Sequence, residues 1–187
     1  MILLETARLR LRRFRAEDVD LLVELDSDPE VMRYVTYGAP TPRAAYIDVY
    51  LPRWLRIYEE RPLLGYWAAE RLADGEFLGW FHLRDDRIEP EYLELGYRLR
   101  RVEWGRGYAS EAGRALVDYG FERAGADQIS ARTLSRNLAS QRVMAKCGLR
   151  RAGAFVYPED VIAGRSEEER AAVKYAITRA EWLTNRA

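Results

Sequence analysis

Two glycines, Gly105 and Gly107, follow an alternating apolar segment and precede an amphipathic one, in the sequence RVEWGRGYASEA (101–112). Glycine costs backbone entropy, so its use at this junction indicates a tight turn or a closely approaching group. A strand that passes through such a loop into a helix N-terminus presents unpaired N–H groups and a partial positive charge, which bind phosphate. The sequence predicts an anion site assisted by Arg101 or Arg106, although a single Gly-x-Gly also fits a plain turn.

A second segment, NLASQRVMAKCGLRRAG (137–153), combines a polar helix face with an apolar one. Helical spacing puts Asn137 and Ser140 on the polar face, with Asn137 as the predicted N-cap. Cys147 falls on the face of Val143, which predicts a core cysteine that does not act as a nucleophile.

Composition limits the kind of protein that carries these segments. A chain of 187 residues with 48% hydrophobic residues is long enough for one core and short for two. Thirty Lys and Arg balance thirty Asp and Glu, so no net charge recruits nucleic acid. The single cysteine, Cys147, excludes an internal disulfide and a cysteine-based metal site, and with a single histidine, His82, we expect no zinc site. Without a leader-like or membrane-length apolar run, we expect a cytoplasmic protein that contacts no membrane.

The elements that must hold these residues form a mixed α/β pattern, which predicts one domain over residues 1–187. Strands and helices are recognised by their apolar periodicity, and turns by Gly, Pro and Asp. The predicted order is a strand at 7–14, helices at 16–26 and after Asp28, a helical stretch at 42–60 interrupted at Pro52, strands at 65–72, 76–84 and 91–99, a helix from Tyr108 to about Gly125, a strand at 128–134, a helix at 138–147, a strand at 149–157, a polar insert at 158–170 and a strand at 171–179.

Five segments in order along nearly the whole chain resemble the GNAT superfamily of N-acetyltransferases, in particular its ribosomal-protein N-terminal (RimJ/RimL-like) subgroup. They are ETARLRLR, LELGYRL, WGRGYASEA, NLASQRVMAKCGLRRAG and VKYAITRAEW. The resemblance implies a mostly antiparallel twisted sheet with two splayed middle strands, flanked by helices. It also implies acetyl-CoA as the acetyl donor and a primary amine as the acceptor, while the composition leads us to expect no metal.

The resemblance further implies which residues hold acetyl-CoA. Backbone groups on the last strand before the glycine loop would pair with pantetheine, amides of the loop would wrap the pyrophosphate, and the later helix would face the sulfur. The family motif has Gln or Arg where this chain has Val102, so one side-chain contact is missing. The residues implied are Tyr97, Arg98, Leu99, Val102, Trp104, Gly105, Arg106, Gly107, Tyr108, Ala109, Asn137, Ser140, Arg142 and Lys146.

Acetyl transfer to an amine needs a base, an oxyanion donor and a stabilised thiolate. A backbone N–H near Leu99 is the implied oxyanion donor. Glu94 is favoured as the base because it faces away from its apolar neighbours, and His82, with an ordinary pKa of about 6.5, is the alternative. The corresponding structural interpretations are an exposed or salt-bridged strand glutamate and a structural histidine. Many relatives carry a tyrosine acid where Met144 stands, so Ser140 is left to polarise the sulfur.

The acceptor is expected to be the α-amine of a protein or peptide, as in the subgroup that the sequence resembles. An α-amine has a pKa of about 7.7–8 against about 10.4 for lysine, so it needs less help from a base. The aromatic stretch 46–58 and the insert 158–170 would flank the acceptor. A small-molecule amine acetyltransferase, a catalytically silent acetyl-CoA-binding protein and an unrelated nucleotide-binding protein stay open as alternatives, as does a homodimer.

Overall fold

An eight-stranded sheet is the frame of the structure, a computed structural model that describes residues 1–186. The strands are β1 (Ile2–Glu5), β2 (Leu9–Arg13), β3 (Gly65–Arg71), β4 (Phe77–Asp85), β5 (Leu93–Leu99), β6 (Gln128–Leu134), β7 (Arg150–Val156) and β8 (Ala171–Thr178). Their order across the sheet is β1-β2-β3-β4-β5-β6-β8-β7. Neighbours run antiparallel except β5 and β6, which run parallel.

Helices cover both faces of this sheet. They are α1 (Val19–Ser27), α2 (Pro29–Met32), α3 (Arg43–Ala45), α4 (Leu51–Glu60), α5 (Tyr108–Glu122), α6 (Leu138–Lys146), α7 (Glu167–Arg170) and α8 (Arg179–Thr184). A wide π turn, Tyr46–Tyr50, joins α3 to α4. It ends two residues before Pro52, which cannot donate the hydrogen bond of a regular helix interior. The predicted interruption of the 42–60 helix is therefore present.

The middle of the sheet is open on one side. Between β5 and β6 the paired residues are Leu93 with Ile129 and Glu94 with Ser130, at the beginning of both strands. Beyond Glu94 the two strands separate, so the rest of β5 has a neighbour on its β4 side alone. The predicted mostly antiparallel sheet with splayed middle strands is confirmed.

Two buried clusters lie on opposite faces of the sheet, as the alternation of strand side chains requires. One cluster joins Leu95 and Phe81 to the apolar stripe of α5, which includes Leu116. The other joins Trp80 to Trp54 of α4 and to apolar residues of α1. Each face of the central strands therefore carries its own set of candidate site residues.

The predicted strands and helices lie within a few residues of the observed ones, and three elements were missed: β1, α8 and the four-residue α7, which lies in the predicted insert 158–170. Strand β1 pairs Glu5 with Arg10 of β2, and α8 follows directly after β8. Within residues 1–186, no helix is both long and apolar enough to cross a membrane.

Candidate active site

The glycine loop joins β5 to α5 and adopts a conformation that its two glycines make possible. Gly105 has φ of 75° and Gly107 has φ of 85°, both in the left-handed region that other residues rarely adopt. A β-carbon built on Gly105 would meet nothing within 4 Å, so the surface above it is open. Gly107 is the N-cap of α5 and offers no side chain to its first turn.

The backbone amides of this loop are free to bind an anion. Among residues 1–186, none of the N–H groups from 105 to 110 has a hydrogen-bond acceptor. The first turn of the 15-residue helix α5 adds its partial positive charge at the same place. A pyrophosphate is the kind of group that these donors suit, because the open space above Gly105 lets it reach the backbone.

Side chains around the loop brace it rather than fill it. Arg8 lies 4.4 Å above the Tyr108 ring, donates to the Arg106 carbonyl at 3.1 Å and pairs with Glu111 at 2.7 Å. Val102, Trp104 and Arg106 are exposed, whereas Tyr108 is buried. The loop therefore keeps its shape through contacts that leave its amides free.

The free edge of β5 follows from its register with β4. Arg100 N–H donates to the Leu78 carbonyl at 2.9 Å, so alternation along the ladder turns the backbone groups of Tyr97 and Leu99 toward the gap. The same alternation turns the backbone of Arg98 toward β4, which does not favour its expected pairing with pantetheine. Its side chain instead binds the buried Asp26 at 2.5 Å. The Leu99 carbonyl accepts from the Trp104 indole at 2.9 Å.

Helix α6 begins on the other side of the gap. Asn137 accepts from the Ser140 amide at 3.2 Å, so the predicted N-cap is confirmed. The Ser140 hydroxyl lies 3.0 Å from the Tyr97 hydroxyl, which connects the two sides of the gap. Arg142 and Lys146 are exposed on the helix surface.

The core position predicted for Cys147 is also found. Its side chain is buried below α5, and burial raises the pKa of the thiol to about 12. Met144, which stands at the position of the missing tyrosine, is buried as well.

Glu94 lies on the opposite face of β5, within an ion-pair network. Its carboxylate binds Arg84 and lies 3.8 Å from Arg132. Burial raises the pKa of Glu94 above its ordinary value, against the opposing attraction of Arg84. The salt-bridged interpretation of this glutamate therefore describes its contacts.

His82 lies on the same face and has no polar partner in the part of the chain that the structure describes, residues 1–186. Both ring nitrogens are buried without a hydrogen bond, and the ring packs against Tyr66 and Trp80 at centroid distances of 4.9 Å and 5.7 Å. A β-carbon on Gly96 would lie 2.5 Å from His82 Nε2, so this glycine lets the imidazole lean across β5. Burial, followed by the charges of Arg84 and two further arginines, lowers the pKa of His82 well below 6.5.

The depressed pKa of His82 predicts a pH-dependent stability. Below its ordinary pKa of 6.5 the unfolded chain binds a proton that the folded chain does not, so the free energy of unfolding falls as the pH drops below that value. We expect this component to reach up to ~1.4 kcal/mol per pH unit and to be absent in His82→Phe, which keeps an aromatic ring between Tyr66 and Trp80. Urea titrations between about pH 7.5 and pH 5.5 measure the free energy of unfolding of both proteins. Subtracting one pH dependence from the other removes the effect of all other titrating groups. Identical pH dependences would contradict this prediction.

Several polar residues near Glu94 were missed by sequence reasoning. Asp86 binds Arg132 and accepts from Ser130 at 2.5 Å. Burial alone would raise the pKa of Asp86, but these hydrogen bonds hold it below its ordinary value. Burial and the charge of Glu94 raise the pKa of Tyr157 to about 12. No local motif marks these residues, because sheet pairing brings them together from distant parts of the chain.

Comparisons with known proteins agree on one family. The family model described as "Acetyltransferase (GNAT) domain" matches residues 8–150. The FsC-acetyl coenzyme A-N(2)-transacetylase of Aspergillus fumigatus is 36% identical over 96% of this chain and 77% of its own. A solved structure of RimL, a ribosomal L7/L12 alpha-N-protein acetyltransferase in complex with coenzyme A, shares the fold with a TM-score of 0.77 at 16% identity, covering 95% of this chain and 98% of that one. Aminoglycoside acetyltransferase AAC(6')-Ib in complex with coenzyme A gives 0.74 at 20%, covering 96% and 99%.

Proposed function

The chain belongs to the GNAT family of acetyltransferases, and on that premise we propose that it transfers the acetyl group of acetyl-CoA to the α-amine of a peptide N-terminus by direct attack in a ternary complex. One observation supports acetyl-CoA as the acetyl donor. Within residues 1–186, the backbone amides from 105 to 110 have no hydrogen-bond acceptor, and they lie at the start of α5 beside the free edge of β5. These amides would hold the pyrophosphate, and Gly105 and Gly107 would give it access to the backbone.

The pantetheine arm would follow the free edge of β5. The backbone groups of Tyr97 and Leu99 face the gap, and the Leu99 carbonyl is the one already occupied, by Trp104. The N–H groups of these two residues would therefore offer the donors: one for the pantetheine amide and one for the oxyanion that forms during acyl transfer. Asn137 and Ser140 would border the sulfur from the α6 side.

His82 is the proton acceptor that the contacts favour. A base needs a free lone pair, and the neutral imidazole keeps one because neither ring nitrogen has a partner. The Glu94 carboxylate, ranked first from the sequence, is shared with Arg84 and lies near Arg132. In this proposal Glu94 holds Arg84 in place, and His82 takes the proton that the amine loses on attack.

The hydroxyl pair of Tyr97 and Ser140 would serve the leaving thiolate. The Tyr97 hydroxyl lies 3.0 Å from both the hydroxyl and the carbonyl oxygen of Ser140, so it would hold Ser140 in place while the serine hydroxyl donates a hydrogen bond to the sulfur. Burial raises the pKa of Tyr97 well above its ordinary value, so the phenol stays protonated at neutral pH. This pair would supply what a tyrosine at Met144 supplies in many relatives.

An α-amine acceptor suits a site of this kind. At neutral pH roughly a tenth of an α-amine is already uncharged, against well under a thousandth of a lysine side chain. A buried imidazole of low pKa is better matched to the less basic amine. The Aspergillus relative is named for transfer to an N(2) amine, which supports a nitrogen acceptor of this kind.

We expect short peptides with a free N-terminus to be acetylated at least about tenfold faster than N-acetylated peptides of the same sequence that carry a lysine, because of the difference in free amine. Release of coenzyme A measures the rate, and mass spectrometry of the product locates the acetyl group. Equal or reversed rates would overturn the α-amine assignment. If polyamines or aminoglycosides are acetylated and none of the tested peptides is, the acceptor is a small-molecule amine instead.

A further inference from the structure

A cleft of about 410 Å³ opens between α4 and the chain that follows β4. Five arginines line it, together with three acids and three apolar residues. The arginines come from two parts of the sequence, so the fold and not a local basic run creates the cluster. The five arginines are Arg53, Arg56, Arg61, Arg84 and Arg87.

Each acid of this cleft already has a cationic partner. Glu60 lies 3.5 Å from Arg56, Asp85 lies 2.7 Å from Arg61, and Asp86 binds Arg132 from inside the sheet.

Two of the arginines lack a partner. Within residues 1–186, neither Arg53 nor Arg87 makes an ion pair or a side-chain hydrogen bond, and both are exposed. Arg84 pairs with Glu94 but keeps a buried Nε–H that has no acceptor. The cleft therefore carries uncompensated positive charge and an unused buried donor, a combination that suits a carboxylate.

The cleft lies next to His82, the proposed base for the amine acceptor. Arg84 lines it and lies two residues beyond His82 on β4, so both side chains are on the same face of the strand. Burial, and after it the positive charges of Arg84 and Arg87, lowers the pKa of His82. An acceptor with its amine at His82 could thus reach the cleft with its next residues.

We propose that this cleft selects acceptor peptides whose N-terminal residue is followed by acidic side chains, with Arg53 and Arg87 binding the carboxylates and Arg84 joining the cleft to the reaction centre. The inference rests on the proposed peptide acetylation and adds its sequence preference. Arginine favours this role because its planar guanidinium binds a carboxylate through two parallel hydrogen bonds.

Matched peptides test the proposal. One peptide carries Asp or Glu at its second to fourth positions, and its counterpart carries Asn or Gln there. We expect kcat/KM for the acidic peptide to be about tenfold higher, and this advantage to shrink as NaCl screens the exposed charges. Arg53→Gln and Arg87→Gln should each reduce the ratio between the two peptides. Arg123→Gln, an exposed arginine at the end of α5, should leave the ratio unchanged.

The outcomes separate this proposal from the function on which it rests. Equal kcat/KM for the two peptides, or a ratio that survives the double Arg53→Gln, Arg87→Gln variant, would overturn the acidic preference while peptide acetylation stands. If free glutamate is acetylated and the acidic peptides are not, the carboxylate that binds the cleft does not belong to a peptide, and the proposal is wrong. If no peptide or amino acid is acetylated while another amine is, both proposals fail.

Discussion

Gly105→Val is expected to abolish the rise in melting temperature that acetyl-CoA gives the unsubstituted protein. A ligand that binds the folded state alone adds about 2.7 kcal/mol at a hundredfold excess over its Kd, which corresponds to about 5–10 °C in a chain of this size. Valine at position 105 would fill the open space above the loop and resist the φ of 75° that exposes the amides. A pyrophosphate could then no longer approach those amides, and thermal unfolding with and without acetyl-CoA measures the loss.

Gly125→Val is the matched control for that experiment. Gly125 has φ of 72°, and a β-carbon there also meets nothing within 4 Å, but the residue lies in the turn between α5 and β6. Both variants should lower the melting temperature of the unliganded protein to a similar extent, because both strain a left-handed backbone. The control should keep the full acetyl-CoA shift. A folded Gly105→Val protein that also keeps it would remove the glycine loop from the donor site.

The sequence predicted most of the fold because its patterns are local. Alternation defined β5, and the glycine at Gly148, which adopts φ of 90°, marked the end of α6. Strand β1 was missed because ILLE is a short apolar run whose pairing with β2 is a tertiary contact. Helix α8 did carry a readable signal, since Thr178 and Glu181 form a capping box at its start.

The features of the candidate site also fall into those that a local sequence pattern predicts and those that depend on sheet pairing. The loop glycines and the Asn137 cap are local features, and they were found from the sequence. The partners of Glu94 were not, because Arg84 reaches it through the register of β4 with β5 and Arg132 reaches it from β6. The backbone direction of Arg98 depends on the same register. Sequence periodicity assigns a face to a side chain, but it does not say which strand lies beside it.

His82→Phe is expected to lower kcat by about a hundredfold or more, the usual contribution of a positioned base, while leaving the acetyl-CoA shift in melting temperature intact. The amine becomes strongly acidic once it bonds to the acetyl carbon, so a neutral imidazole of low pKa can accept its proton. The deficit should stay the same as the pH rises through about 7.7–8, because the uncharged fraction of the α-amine increases equally for both proteins.

Glu94→Gln provides the comparison that decides between the two candidate bases. The amide keeps an oxygen acceptor for Arg84 but removes the charge, so its effect reports on the ion pair more than on proton transfer. We expect kcat to fall by less than about tenfold, with a pH profile parallel to that of the unsubstituted protein. The opposite ranking, a larger loss in Glu94→Gln beside a nearly active His82→Phe, would assign the base to Glu94. We propose the imidazole as the base because the ring of His82 leans over Gly96 and its nitrogens have no hydrogen-bond partner within residues 1–186.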